Sequence, residues 1–191
     1  MRIVIYIAMV TAVIFSSCGI SENLISTPYS NAVVKNTNGT EMLLGHCTRS
    51  CLAQKPFAEW YFKNYNDYLV DSITVIEIRK LFKDKNMTIF MGTWCGDSRR
   101  EVPRMLKILD ASGIKEKQVQ IIFVSNDPDL YKQSPQHEEK GMNIIRVPTF
   151  IISKGKKETG RIIEYPKQSL EKDLLKILRE EIYIPNYATG T

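Results

Sequence analysis

The segment "GTWCGDSRRE", Gly92 to Glu101, places one cysteine, Cys95, behind Trp94 and in front of a helical pattern. An apolar run, "MTIFM", precedes it, so Cys95 stands at a strand-to-helix turn. Unpaired backbone N–H groups at a helix N-terminus favour the thiolate, and the thiolate is the nucleophile of sulfur chemistry. Ser98 is placed to donate a hydroxyl hydrogen bond to the same sulfur. Asp97 opposes a second negative charge, while Arg99 and Arg100 offset it. A second sulfur chemistry lies upstream, where "GHCTRSC" sets Cys47 and Cys51 four apart beside His46. Three uses compete there: a bridge between the two, resolution of mixed disulfides formed at Cys95, or a metal site with His46. The metal use carries the least weight, so neither a metal nor another cofactor is expected. His46 and His137 read as surface residues.

The elements that must position these sulfurs follow from periodicity. Phe57, Trp60, Tyr61, Tyr65 and Tyr68 recur at helical spacing after Pro56, which suits a first helical position. Asp71 or Ser72 caps a helix running to about Phe82. Met87–Met91 and Val119–Ser125 are continuous apolar runs of buried strands. Between them "SRREVPRMLKILD" is helical with Pro103 inside it, where proline kinks a helix. Residues 126–143 are polar, with Pro128, Pro135 and Gly141. "VPTFIIS" and "ETGRIIEY" flank a turn at Gly155 and read as a hairpin, and Ser169 caps a closing helix. This order predicts an α/β domain with a central mixed β-sheet flanked by helices.

The chain has 191 residues, 43% hydrophobic and 25% charged, with a net charge of +5. That is enough chain for one packed domain with extensions. The basic and acidic residues are interleaved without a basic, aromatic stripe, which argues against nucleic acid. At the N-terminus, Arg2 precedes an apolar run from Ile3 to Phe15 that is too short to span a bilayer and suits a signal peptide. "FSSC" resembles the lipobox of bacterial lipoproteins, in which the cysteine, here Cys18, becomes the lipidated first residue. The expected organisation is a signal peptide over 1–17, a flexible tether over 18–40, an N-terminal helical extension over 41–70, the main domain over 71–184 and a tail over 185–191.

"WCGDSRREVP" resembles the active-site segment of thioredoxins, with Trp94, Cys95, Gly96 and Pro103 at matching places. "RVPTF" is similar to the segment whose proline follows a cis peptide and faces the active-site cysteine in that family; carried over, this is Pro148. The likeness runs from about Ser72 to Tyr183. It implies a thioredoxin-like fold, with an active site supported by Trp94, Gly96, Asp97, Ser98 and Pro148. Together with the lipobox, "GTWCGDS" looks like the lipoprotein thioredoxin-like proteins of Bacteroidetes type. Three departures stand out: Ser98 replaces the second cysteine, Asp97 replaces the proline before it, and Ile89 stands where thioredoxins bury an acid.

The resemblance implies a membrane-tethered thiol–disulfide exchange protein of the bacterial cell envelope. Cys95 is its expected catalytic residue, working as a single cysteine by mixed disulfides with protein or small-molecule partners and an external thiol reductant. The competing expectation is a redox-inactive peptide-binding module. Cys47 and Cys51 stand as a disulfide or as resolving thiols.

Overall fold

The computed structural model describes residues 32–188. The expected signal peptide, most of the tether and Cys18 lie outside them. A six-stranded sheet runs in the order β1-β2-β4-β3-β5-β6. The strands are β1 (Ala32–Lys35), β2 (Glu41–His46), β3 (Lys85–Met91), β4 (Val119–Phe123), β5 (Thr149–Lys154) and β6 (Lys157–Ile163). The helices are α1 (Arg49–Leu52), α2 (Ala58–Asp67), α3 (Ser72–Leu81), α4 (Gly96–Ala111) and α5 (Leu170–Leu178). β3 and β4 are parallel and joined through α4, while the other pairs are antiparallel. This is the mixed α/β sheet flanked by helices that the sequence predicts, with extra N-terminal elements.

The central strands alternate between two cores, as the two-residue period of a strand requires. Met87, Ile89, Met91, Ile121, Phe123, Phe150 and Ile152 join the large core, which takes side chains from α1 through α5. Phe90, Ile122, Val124 and Ile151 turn to the other face and meet Val147, Trp94, Cys95, Met142 and Ile144. Apolar side chains buried this fully contribute about 1.5–3 kcal/mol each, so β3, with Met87, Ile89, Phe90 and Met91 at 0–1% exposure, is the most firmly held strand. The smaller core therefore sits directly under Cys95.

Helix ends are closed by short polar side chains. Asp71 accepts from Ile73 N at 3.1 Å and Thr74 N at 3.2 Å, and Ser169 accepts from Lys172 N. Pro103 lies inside α4, buried. Pro56 does not open a helix: it stands in the turn before α2, which begins at Ala58.

The N-terminal part departs most from expectation. Residues 41–70 are not all helical, because Glu41–His46 forms β2, which buries Met42 and Leu43 and pairs with β4 at Gly45–Phe123 and His46–Ile122. Val33 to Lys35, inside the expected tether, belong to β1. In the expected tail, Asn186 donates to the Tyr165 carbonyl and Tyr187 stacks edge-on to Tyr165.

Candidate active site: two sulfur centres on one fold

Cys95 is the residue immediately before α4, with extended backbone angles, and the first turn closes when Arg99 N donates to the Cys95 carbonyl at 3.0 Å. The thiol donates to the Val147 carbonyl at 3.2 Å, one residue before Pro148, and the Val147–Pro148 peptide is cis. Trp94 is fixed by its indole N–H, which donates to the Val124 carbonyl at 2.8 Å. Gly92 makes room for that ring: a Cβ there would lie 2.4 Å from the indole. Gly96 has open space where a Cβ would be, so packing does not demand glycine there.

Ser98 differs from the sequence expectation. Its hydroxyl oxygen is fully buried and accepts from Gly92 N at 3.3 Å, holding the strand end to the helix rather than the Cys95 sulfur. Asp97 is engaged by Arg100 at 2.6 Å, and Arg99 donates from Nε to the Thr93 carbonyl. The carboxylate that opposed a thiolate is thus paired, and the two arginines are spent on the turn. Ile89 is fully buried in β3.

The second centre is a covalent bond. Cys47 and Cys51 form a disulfide, with S–S 2.06 Å and Cα–Cα 6.4 Å. This bond overturns the expectation of a single-cysteine, monothiol site: the chain carries a Cys-x-x-x-Cys pair at disulfide distance, which points to a dithiol. Cys47 follows β2 and its N–H reaches the Ile121 carbonyl at 3.3 Å, while Cys51 lies on α1. Both are largely buried, but Cys47 lines a cleft of about 440 Å³ with Arg49, Leu106, Glu116, Lys117 and Gln120. His46 is not a surface residue: it is 8% exposed, 2.8 Å from Glu138 and within 3.1 Å of Gln120. Among the described residues, no three His, Cys, Asp or Glu side chains gather to hold a metal.

The two centres belong to different cores: Cys47 and Cys51 join the large one, and Cys95 packs against the smaller one on the sheet's other face. Leu43 N donates to the buried Thr93 hydroxyl near Cys95, and β2 then runs away from that end, so Cys47 stands level with Ile121 of β4 and, through it, Ile89 of β3. The cleft beside Cys47 includes Leu106, eleven residues down α4 from Cys95, about 16 Å at 1.5 Å per residue. In this arrangement Cys47 and Cys51 are bonded to each other, and the Cys95 thiol meets the Val147 carbonyl.

α1 is held in place by charge. Arg49 grips Asp110 of α4 through two bonds, 2.6 and 2.9 Å, and Tyr65 of α2 donates to the same carboxylate at 2.6 Å. Burial and that carboxylate push the Tyr65 phenol up to about 12, and the bond to Asp110 raises the Arg49 guanidinium further. The couple is therefore braced from α2 and α4. Sequence reading missed Arg49, Asp110 and Tyr65, since their relation crosses three helices.

A family model described as Thioredoxin matches residues 54–176. The chain belongs to the thioredoxin family. Thioredoxin-3, mitochondrial, of Saccharomyces cerevisiae is 27% identical over 125 residues, covering 64% of this chain and 91% of that protein. Cys95, Trp94 and Pro148 of this thioredoxin-family chain fall inside the matched region, whereas Cys47 and Cys51 precede it. A thioredoxin frame with a cysteine pair at bonding distance is the equipment of a thiol–disulfide oxidoreductase. Among the described residues no helix is long and apolar enough to cross a membrane.

Proposed function

We propose that this thioredoxin-family protein is a thiol–disulfide exchange protein whose electron pair resides in the Cys47–Cys51 couple. Cys95, Trp94 and Pro148 form the groove that receives a partner chain. The observation that carries the reading is the Cys47–Cys51 bond beside an open cleft. In the reducing direction, one thiolate of the reduced pair attacks a partner disulfide and forms a mixed disulfide. The second then attacks its neighbour's sulfur, closing Cys47–Cys51. Two electrons pass to the partner, which leaves as two thiols carrying the two protons the pair gives up. The reverse sequence oxidises a partner dithiol.

Anchoring belongs to the same proposal. The lipobox-like ending at Cys18 supports a lipid anchor and a place in the bacterial envelope, as in lipoproteins of Bacteroidetes type, where disulfides persist. Partners are then protein or small-molecule thiols and disulfides, with an outside thiol supplying electrons.

Reductant-driven turnover of a small disulfide tests the couple. Cys47→Ser and Cys51→Ser reduce turnover to background, with folding checked by circular dichroism, while Cys95→Ser keeps most of it. Full turnover in Cys47→Ser together with none in Cys95→Ser contradicts the proposal.

A further inference from the structure

Lys132 stands in an unusual position. Its backbone is left-handed, with φ of 60°, a conformation that non-glycine residues seldom adopt and that gathers at functional sites. The turn is held by Lys132 N donating to Ser125 O at 2.8 Å and Ser125 N donating to Gln133 O at 2.9 Å. The side chain runs back toward the segment that the Cys95 thiol meets. Its ammonium donates to the Ile145 carbonyl at 2.6 Å, two residues before the Val147 carbonyl that the Cys95 thiol meets. The ammonium also lies 4.6 Å from the centre of the Tyr131 ring, and that ring packs 5.6 Å from the Trp94 ring.

A second cation flanks the same segment. Arg146 lies over the Tyr187 ring at 5.0 Å and is half exposed. Its nearest acid, Glu164, is 4.0 Å away, longer than a hydrogen bond. Burial and Arg146 push the Lys132 ammonium below its ordinary value, while Cys95 and Glu164 pull it up, so these four groups share one field. Asp97 contributes little to that field because Arg100 pairs with it. Among the charged side chains that act on Lys132, Arg146 is a second cation and Glu164 the acid. Around them stand exposed apolar groups, Leu130, Tyr131, Ile145, Tyr165 and Tyr187.

We infer that the groove beside Cys95 selects polypeptide segments bearing Asp or Glu, with Lys132 and Arg146 as the specificity-determining residues. The ammonium retains a donor after its carbonyl and ring contacts, and the guanidinium holds its donors free of a close acid, so each can receive a carboxylate. The aromatic wall of Trp94 and Tyr131 takes the apolar part of such a segment. The inference rests on the proposed role of Cys95 as the groove's thiol.

The test compares alkylation of Cys95 by iodoacetate, an anion, and iodoacetamide, its neutral analogue, in the intact protein with Cys47–Cys51 oxidised. Rates come from the Cys95 peptide by mass spectrometry and are divided by those of a free cysteine peptide. The normalised preference for the anion is about threefold or more at low salt, and about 0.5 M salt or the Lys132→Gln/Arg146→Gln pair abolishes it. An extended acidic peptide lacking cysteine slows iodoacetamide at Cys95, and its lysine counterpart does not. Equal preference in native protein and variant, or equal protection by both peptides, overturns the inference while leaving the reactive thiol in place. Failure of Cys95 to react with either reagent overturns the reading of the groove itself, and the inference with it.

Discussion

Single side chains decide how each sulfur behaves. Gly92 is the clearest case, since any Cβ would occupy the space of the Trp94 indole. Gly92→Ala forces that ring out and breaks its bond to Val124. It should destabilise the protein by about 1–3 kcal/mol, read as a lowered denaturant midpoint with a red-shifted tryptophan emission; an unshifted midpoint contradicts this packing. The sequence made Cys95, Trp94 and Pro148 visible because their types and order repeat a family pattern. It misassigned Ser98, whose hydroxyl is turned to Gly92 N, because a three-residue spacing cannot tell which of two nearby partners a short hydroxyl meets. His46 was read as exposed for a similar reason: the Glu138 that accompanies it lies ninety-two residues away.

Elements set where the couple stands. The segment before Cys47 was expected to be helical, but "EMLLGH" adds a strand beside β4 and carries Cys47 into the large core, away from the smaller core that Cys95 meets. Strand addition at a sheet edge depends on the neighbour it finds, so a short apolar run does not declare it. α1 is a single turn and cannot hold itself. It depends on Arg49, Asp110 and Tyr65, which tie it to α4 and α2. Asp110→Asn weakens both contacts and should cost about 1–2 kcal/mol, discounted because the pair is partly exposed. The same change loosens α1, so dithiothreitol should reduce Cys47–Cys51 several-fold faster than in the native protein. An unchanged reduction rate would mean that the brace does not guard the disulfide.

At the scale of the whole molecule, the fold holds two sulfur centres against different cores and gives them different surroundings. Cys95 meets the 145–147 segment that Lys132 also binds; the Cys47–Cys51 bond is largely buried beside its cleft. The mixed sheet, the hairpin and the closing helix were legible because strands buried on both faces and capped helices announce themselves locally. The separation of the two sulfur centres was not legible, since it depends on which core each cysteine joins. The most direct measurement equilibrates reduced protein against graded ratios of bis(2-hydroxyethyl) disulfide and mercaptoethanol, quenches it in acid, labels free thiols and maps the peptides. Cys47 and Cys51 should lose their labels together as the ratio becomes oxidising and regain them together on return. If the two stay bridged at every ratio, or stay labelled while Cys95 alone gains an adduct, the couple is not the seat of exchange and the account is wrong.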